Sequence, residues 1–245
     1  FTHAGMDGRD LRARLMGVPV KLDVSDAPAG EAMTRVRAIG KLPLVDKLRK
    51  AQPKLEGISS LGGNSEWTAD LYLPKHTAAA APARVELRSE LRGVQVDLPE
   101  PFAKPAEAST AFALTAELQG DGLGPLRLQY GDHSAAFSLT HSNGALQLTR
   151  GEVKFGATDA TLPKTNGVRV AGSLPVFAWD AWRELLGGGE QTGLLRALDV
   201  DIDSLRAFGR IFNGVQIRAR RDAGHWTATL GGPDMEGTLE LPPGK

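Results

Sequence analysis

Between Ala83 and Leu98 the chain alternates with period 2. Val85, Leu87, Leu91, Val94, Val96 and Leu98 take the apolar positions, and Arg84, Glu86, Arg88, Glu90 and Arg92 stand between them. That period predicts a strand with one dry and one wet face, interrupted at Arg92-Gly93 where a turn or bulge is expected. The same design recurs along the chain. Leu11–Val24 holds two short strand patterns around Gly17, and Met33–Ile39 is a third. Glu56–Asn64 reads as loop or weak strand, and Trp67–Leu73 as strand. The segment 74–82 reads as a crossing loop, and three prolines exclude a long helix from Pro99–Ala108. Ser109–Gln119 alternates again. Gly120–Gly124 is a turn, and Leu126, Leu128 and Tyr130 continue on its far side. Phe137 and Leu139, then Leu146 and Leu148, flank Ser142-Asn143-Gly144, a strong hairpin signal. Val153 and Phe155 extend the series. Leu198–Leu205, Val215–Ala219, Trp226–Leu230 and Met235–Leu241 complete it, with turns expected at Asn213-Gly214, at 222–224 and at Gly231-Gly232.

Two segments break the period. Pro43 precedes an apolar face of Leu44, Val45 and Leu48, which predicts a helix at about 43–50. Phe177, Trp179, Trp182, Leu185 and Leu186 give a broad apolar surface to a second helix at about 176–186, with Gly187-Gly188-Gly189 ending it. Each helix follows a similar octet, Val36–Pro43 (VRAIGKLP) and Val168–Pro175 (VRVAGSLP), at a spacing of 132 residues. A repeat of strands ending in a helix implies a modular, elongated architecture. The predicted fold is mainly β, a long, curved antiparallel meander sheet with two short helices. What covers its apolar face becomes the central question.

Composition narrows the answer. Lys+Arg and Asp+Glu both number 29, so no basic excess points to nucleic acid. Gly (29) and Pro (15) together exceed the ordinary background of about 12%, and their placement between alternating runs makes them turn punctuation. Cysteine is absent, which excludes disulfides and thiolate metal sites. No apolar run approaches the ~20 residues of a membrane span. The opening FTHAGMDGRDLRARL reads as the middle of a strand pattern, so a piece of a longer protein is expected.

Catalytic and metal chemistry finds little to build on. His3, His76, His133, His141 and His225 lack metal-ligand spacing. Asp132-His133-Ser134 names the members of a triad, but neighbours in extended chain point to opposite faces, and a hydrophilic turn is the expected reading. Gly120-x-Gly122-x-Gly124 has neither the following helix nor the lysine of a phosphate loop. Asp199, Asp201 and Asp203 share one strand face. They could ligate a hard cation, but a solvated face opposite Leu198, Val200 and Ile202 is preferred. Phe177, Trp179 and Trp182 are candidates for contact with a membrane or partner, or for a plug against the sheet. No catalytic residue, metal site or cofactor is expected.

Several motifs then fall in a characteristic order. They are a Trp67-led strand, Ser89-x-Leu91-x-Gly93, Leu98-Pro99-Glu100-Pro101-Phe102-Ala103-Lys104-Pro105, and Gly172-x-Leu174-Pro175 with Trp179-Asp180-x-Trp182. Leu198–Gly209, a Trp226 strand and Gly237–Pro242 follow. In this the chain resembles the YhdP branch of the AsmA-like proteins of Gram-negative bacteria. The resemblance implies a periplasmic protein anchored in the inner membrane, whose body is a long β-groove carrying phospholipids toward the outer membrane. Its implied partners are phospholipid acyl chains and inner- and outer-membrane components at the ends of the full-length protein. On this basis residues 1–64 would end a preceding β-groove repeat, 65–190 would form a central unit closed by the Trp-containing helix, and 191–245 would be terminal strands.

The physics of such a groove is simple. Exposing a two-chain lipid to water uncovers about 30 methylenes at ~0.8 kcal/mol each, on the order of 24 kcal/mol. A continuous apolar sheet face removes that barrier without any convergent polar site. The residues expected to line it are Val85, Leu87, Leu91, Val94, Val96, Phe112, Leu114, Leu126, Leu128, Phe137, Leu139, Leu146 and Leu148. On composition alone a closed β-sandwich, a non-catalytic interaction module of a cell-envelope assembly protein, is the favoured reading. An enzyme acting on envelope glycans is a more distant third.

Overall fold

A computed structural model of the chain describes residues 7–28, 32–51, 58–75, 81–119, 122–142, 145–186, 193–233 and 235–241. Its strands are β1 (Gly8–Leu15), β2 (Val18–Asp26), β3 (Met33–Gly40), β4 (Leu61–Gly63), β5 (Trp67–Pro74), β6 (Ala83–Ser89), β7 (Val94–Val96) and β8 (Phe112–Gln119). They continue with β9 (Gly122–Tyr130), β10 (His133–Ser142), β11 (Ala145–Phe155), β12 (Gly167–Ala178), β13 (Leu195–Ala207), β14 (Arg210–Asp222), β15 (His225–Gly231) and β16 (Gly237–Leu241). The helices are α1 (Leu44–Ala51) and α2 (Trp179–Leu186), with a 3-10 turn at Ile58–Ser60. Fourteen strands form one sheet, not closed into a barrel, in the order β1-β2-β3-β5-β6-β8-β9-β10-β11-β12-β13-β14-β15-β16. Strands β4 and β7 pair separately. Among the described residues there is no second large sheet to face the first, as a sandwich would need.

The sheet is mixed, not the purely antiparallel meander that the alternation predicts. β12 runs parallel to both β11 and β13. Parallel neighbours require the chain to return before pairing, which a tight hairpin cannot do. Residues 156–166 make one return, and two buried polar side chains pin them. The Ser134 hydroxyl donates to Thr158 O (3.0 Å) and accepts from Ala160 N (2.8 Å). Glu152, 6% exposed, accepts from Thr161 N (2.7 Å) and Thr161 Oγ1 (3.0 Å). α2 lies on the other return and packs against β13. Strand periodicity carries no record of direction, so the sequence pattern could not reveal this reversal.

The chain divides into two compact units. The first comprises Phe1–Gln95, Pro105–Gly131 and Leu139–Gln147; the second comprises Val96–Lys104, Asp132–Ser138 and Leu148–Lys245. In the first, α1 packs on the 3-10 turn and β4, and Leu42 (1% exposed) and Val45 are buried. In the second, Leu174 (2%), Val200, Ile202, Leu205, Ala207 and Val215 (1%) form a dry core, with Phe155, Phe177, Phe212 and Met235 packed against it. The repeated octet contributes its leucine in each case, Leu42 and Leu174. The copies differ in pairing, because β3 is antiparallel to β2 and β5. They also differ in helix start: β12 runs on through Ala178, so α2 begins at Trp179 and not at 176.

One hairpin turns where the sequence does not advertise it. Asn213-Gly214 lies inside β14, where Gly214 has φ +61°. The chain reverses at Phe208-Gly209, between the paired residues Ala207 and Arg210. Burial of Leu205, Ala207 and Phe212 favours pairing beyond the Asn-Gly site. Of the turn predicted at Gly120–Gly124, Gly122–Gly124 belong instead to β9, while residues 120–121, Asn143-Gly144 and the helix end at 187–189 lie outside the described residues.

Gly172 sits where parallel strands approach most closely. Its φ is +120°, and an added Cβ would fall 2.0 Å from Phe155 O. Gly172→Ala is therefore expected to cost about 2–4 kcal/mol in urea unfolding. Gly62→Ala, whose Cβ would meet nothing within 4 Å, should change stability by less than about 1 kcal/mol.

Candidate functional site

Cross-strand register in the first unit builds the most extensive feature of the chain. Directly opposed residues in antiparallel strands share a face. One such line joins Leu11, Leu22, Ala38, Ala69, Leu87, Leu114 and Leu128 across seven strands. Two residues along, a second joins Val24, Val36, Leu71, Val85, Ala116 and Leu126. Both rows are free of charge. Between them, on the opposite face, runs Asp23, Arg37, Asp70, Glu86, Thr115 and Arg127.

The two faces are finished differently. On the polar face Arg37 donates to both carboxylate oxygens of Asp70, at 2.7 and 2.9 Å, and Asp70 is 1% exposed. That bonding to Asp70 raises the Arg37 pKa above its ordinary value. Arg84 lies 4.3 Å over the Tyr72 ring, so its charge is held by an aromatic face. Within the two rows only the small Ala38 and Ala116 are buried, while farther along the same face Val20 and Trp67 are buried as well. Leu22, Val24, Val36, Leu71, Val85, Leu87, Leu114, Leu126 and Leu128 are all half-buried, and Leu11 is exposed. α1, the helix of this unit, packs on β4 and the 3-10 turn. Contiguous apolar surface left in this state marks an interaction site more often than an idle one.

The residues expected to line a groove distribute unevenly. Val85, Leu87, Leu114, Leu126 and Leu128 lie in the two rows. Phe112 continues that face at the strand end, where it meets Trp67 edge-on at 5.6 Å. Leu91, Val94 and Val96 do not belong to the large sheet. Leu91 occupies a turn with φ +47°, and Val94 and Val96 are buried in the small β4–β7 pair. In the second unit the Phe137 ring lies against Gly151, where an added Cβ would sit 2.3 Å from it. Leu139 and Leu148 are half-buried, and the Leu146 side chain lies outside the described residues. Leu11, Leu22, Val24, Val36, Leu71 and the three alanines were missing from the expected lining. Their alternation was visible in sequence, but which strands would pair was not.

A sequence model of the YhdP family matches residues 1–245. The chain belongs to the YhdP family. Searches of curated proteins and of solved structures returned no match. Membership suggests a protein related to lipid transport, and YhdP is not a known enzyme family.

Two of the motifs that carry the family likeness, around Phe102 and around Trp182, meet in the second unit. Phe102 packs edge-on to Trp182 at 5.8 Å, and to His133 at 5.5 Å, with Phe155 at 6.0 Å. Trp182 stacks on Phe177 and donates its indole N–H to Glu100 O at 3.0 Å. Trp182 and Phe177 are thus half-buried parts of this cluster, whereas Trp179 remains 37% exposed. His133 is not in a hydrophilic turn but at the start of β10, between Phe102 and Phe155. The Ser134 hydroxyl serves the 156–166 segment and has no contact with a base. Arg218 takes up the aspartates of β13, with Nε 2.8 Å from Asp199 and Nη2 2.6 Å from Asp201. Among the described residues no group of three or more His, Asp or Glu could hold a metal ion.

Burial lowers the His133 pKa, with the Asp132 charge opposing in part. Its Nδ1 is buried without a hydrogen-bond partner. The folded state therefore binds this proton less readily than the unfolded chain. The associated stability is complete above the unfolded pKa of about 6.5 and is lost as pH falls from there toward the folded value. Thermal denaturation should show a falling midpoint across that window, and His133→Phe should flatten this portion of the profile.

Proposed function

We propose that the apolar face of the first unit carries phospholipid acyl chains, as a section of a lipid-transport bridge. The observation that supports it is the pair of uncharged rows crossing up to seven strands with their large side chains half-covered. A sheet that is not closed into a barrel and that, among the described residues, has no second large sheet to face it leaves such rows available. Membership of a family related to lipid transport points the same way. On this reading the longer protein spans the periplasm from an inner-membrane anchor toward the outer membrane and supports the outer-membrane permeability barrier. Acyl chains would lie along the rows, and headgroups would stay in water.

This mechanism needs no reaction and no pocket. Val, Leu and Ala offer near-uniform contact to methylenes, so a chain can advance without leaving a deep minimum. A charge in the row would interrupt it, because a carboxylate requires water or a partner that neighbouring leucines cannot supply. Leu87 and Leu128 are the natural places to test this, since both are half-buried and neither is at the centre of a closed core.

Leu87→Asp and Leu128→Asp are expected to keep the circular dichroism of the parent while lipid co-purifying with the protein, measured by mass spectrometry, falls at least severalfold. A photoreactive residue at either position should crosslink to lipid in cells. Parental lipid loading in both aspartate variants would refute the assignment.

A further inference from the structure

The most exposed large apolar side chains of the second unit gather at one hairpin tip. Phe208 is 74% exposed and Ile211 62%, against 37% for Trp179. The turn is the two-residue loop Phe208-Gly209, with φ +55° and +69°. Positive φ at both central positions defines the type I′ turn, which favours Asn-Gly or Asp-Gly. A bulky side chain there is an outlier that costs stability. The tip therefore bears two penalties at once, an unfavourable backbone for Phe and an aromatic ring in water.

The same tip is held in place. Asp180, the second residue of α2, accepts from Phe208 N at 3.0 Å and Gly209 N at 3.1 Å. This fixes the start of α2, and with it Trp179, beside the turn. Arg210 follows in the hairpin and pairs with no acid among the described residues; Arg183 is exposed on α2. Arg206 nearby is satisfied by Glu100 at 3.1 Å. The outcome is a hairpin tip with the Phe208 and Ile211 side chains exposed, the Asp180 carboxylate bound to the turn's backbone and facing Arg183, and the Arg210 guanidinium beside it.

We propose that this tip inserts into the surface of a lipid bilayer containing anionic headgroups. Shape and charge favour a bilayer over a protein. One side chain on the turn, Phe208, and one at the start of β14, Ile211, fall well short of the ~1,000 Å² a stable protein interface buries. A bilayer needs no complementary pocket, accepts apolar side chains at its acyl boundary, and offers phosphate groups to flanking arginines. The tip belongs to the second unit, so the inference does not rest on acyl chains occupying the rows of the first.

Turn chemistry supplies a discriminating test. Phe208→Asn places the preferred residue at positive φ, so the variant should melt no lower than the parent. Its sedimentation with phosphatidylcholine–phosphatidylglycerol vesicles should nonetheless fall about tenfold or more. Phe208→Trp should retain binding, and vesicles of phosphatidylcholine alone should bind the parent more weakly. Unchanged binding by Phe208→Asn would overturn the proposal, as would a parent that ignores both kinds of vesicle, which would leave a protein as the tip's partner. Lipid co-purification with Phe208→Asn should equal that of the parent, which separates this inference from the proposed role of the rows.

Discussion

Register is the constraint on which the first unit depends. Each strand has a dry and a wet edge, but the dry edges become a surface only when successive strands align them. A slip of one residue at any pairing would drive Asp23, Arg37, Asp70 or Glu86 into the apolar line and break it. The polar face helps to prevent that. Arg37 grips the buried Asp70 of the adjacent strand with two charge-assisted bonds, a geometry available in one alignment only. A one-residue shift would leave a carboxylate buried without its partner, which is costly. The charged face thus specifies the position of the uncharged one.

The second unit answers the same problem differently. Its strand rows are covered: Leu174, Val200, Ile202 and Val215 are dry, and α2 packs on β13. Parallel pairing around β12 makes this possible, since the returns that parallel strands demand bring chain over the sheet. Buried Ser134 and Glu152 secure one return. The motifs Leu98–Pro105 and Trp179–Trp182, far apart in sequence, converge on a cluster of Phe102, His133, Phe155, Phe177 and Trp182. Their chemistry is packing, and Trp182 is half-buried within that cluster.

What the molecule leaves uncovered is correspondingly informative. A half-dry sheet and a strained aromatic tip are both departures from the rule that a folded chain hides its apolar groups. Neither resembles a catalytic centre. Asp199 and Asp201 of β13 are held by Arg218, and the Ser134 hydroxyl is committed to backbone. Both features suit contact with lipid, which requires area and polarity in place of a shaped pocket.

Much of this was legible in the residue pattern, because strand periodicity and burial are local properties. The alternation from Ala83 to Ser89 and from Phe112 to Gln119 is enough to predict strands with one apolar face, and the shared motif order enough to suggest the family. Pairing is not local. Leu91 keeps the phase of β6 and Val94 and Val96 resume the alternation beyond Gly93, yet the chain turns at Leu91 and Val94–Val96 pair in a separate two-stranded sheet. Asn213-Gly214 carries the stronger turn signal, yet burial of Leu205, Ala207 and Phe212 carries the strands past it to Phe208-Gly209. The direction of β12 and the meeting of Phe102 with Trp182 leave no periodic trace at all. Side-chain chemistry settled which residues would seek a dry face; only long-range pairing and packing settled which of those faces would be closed, because the contacts that close them join segments many residues apart.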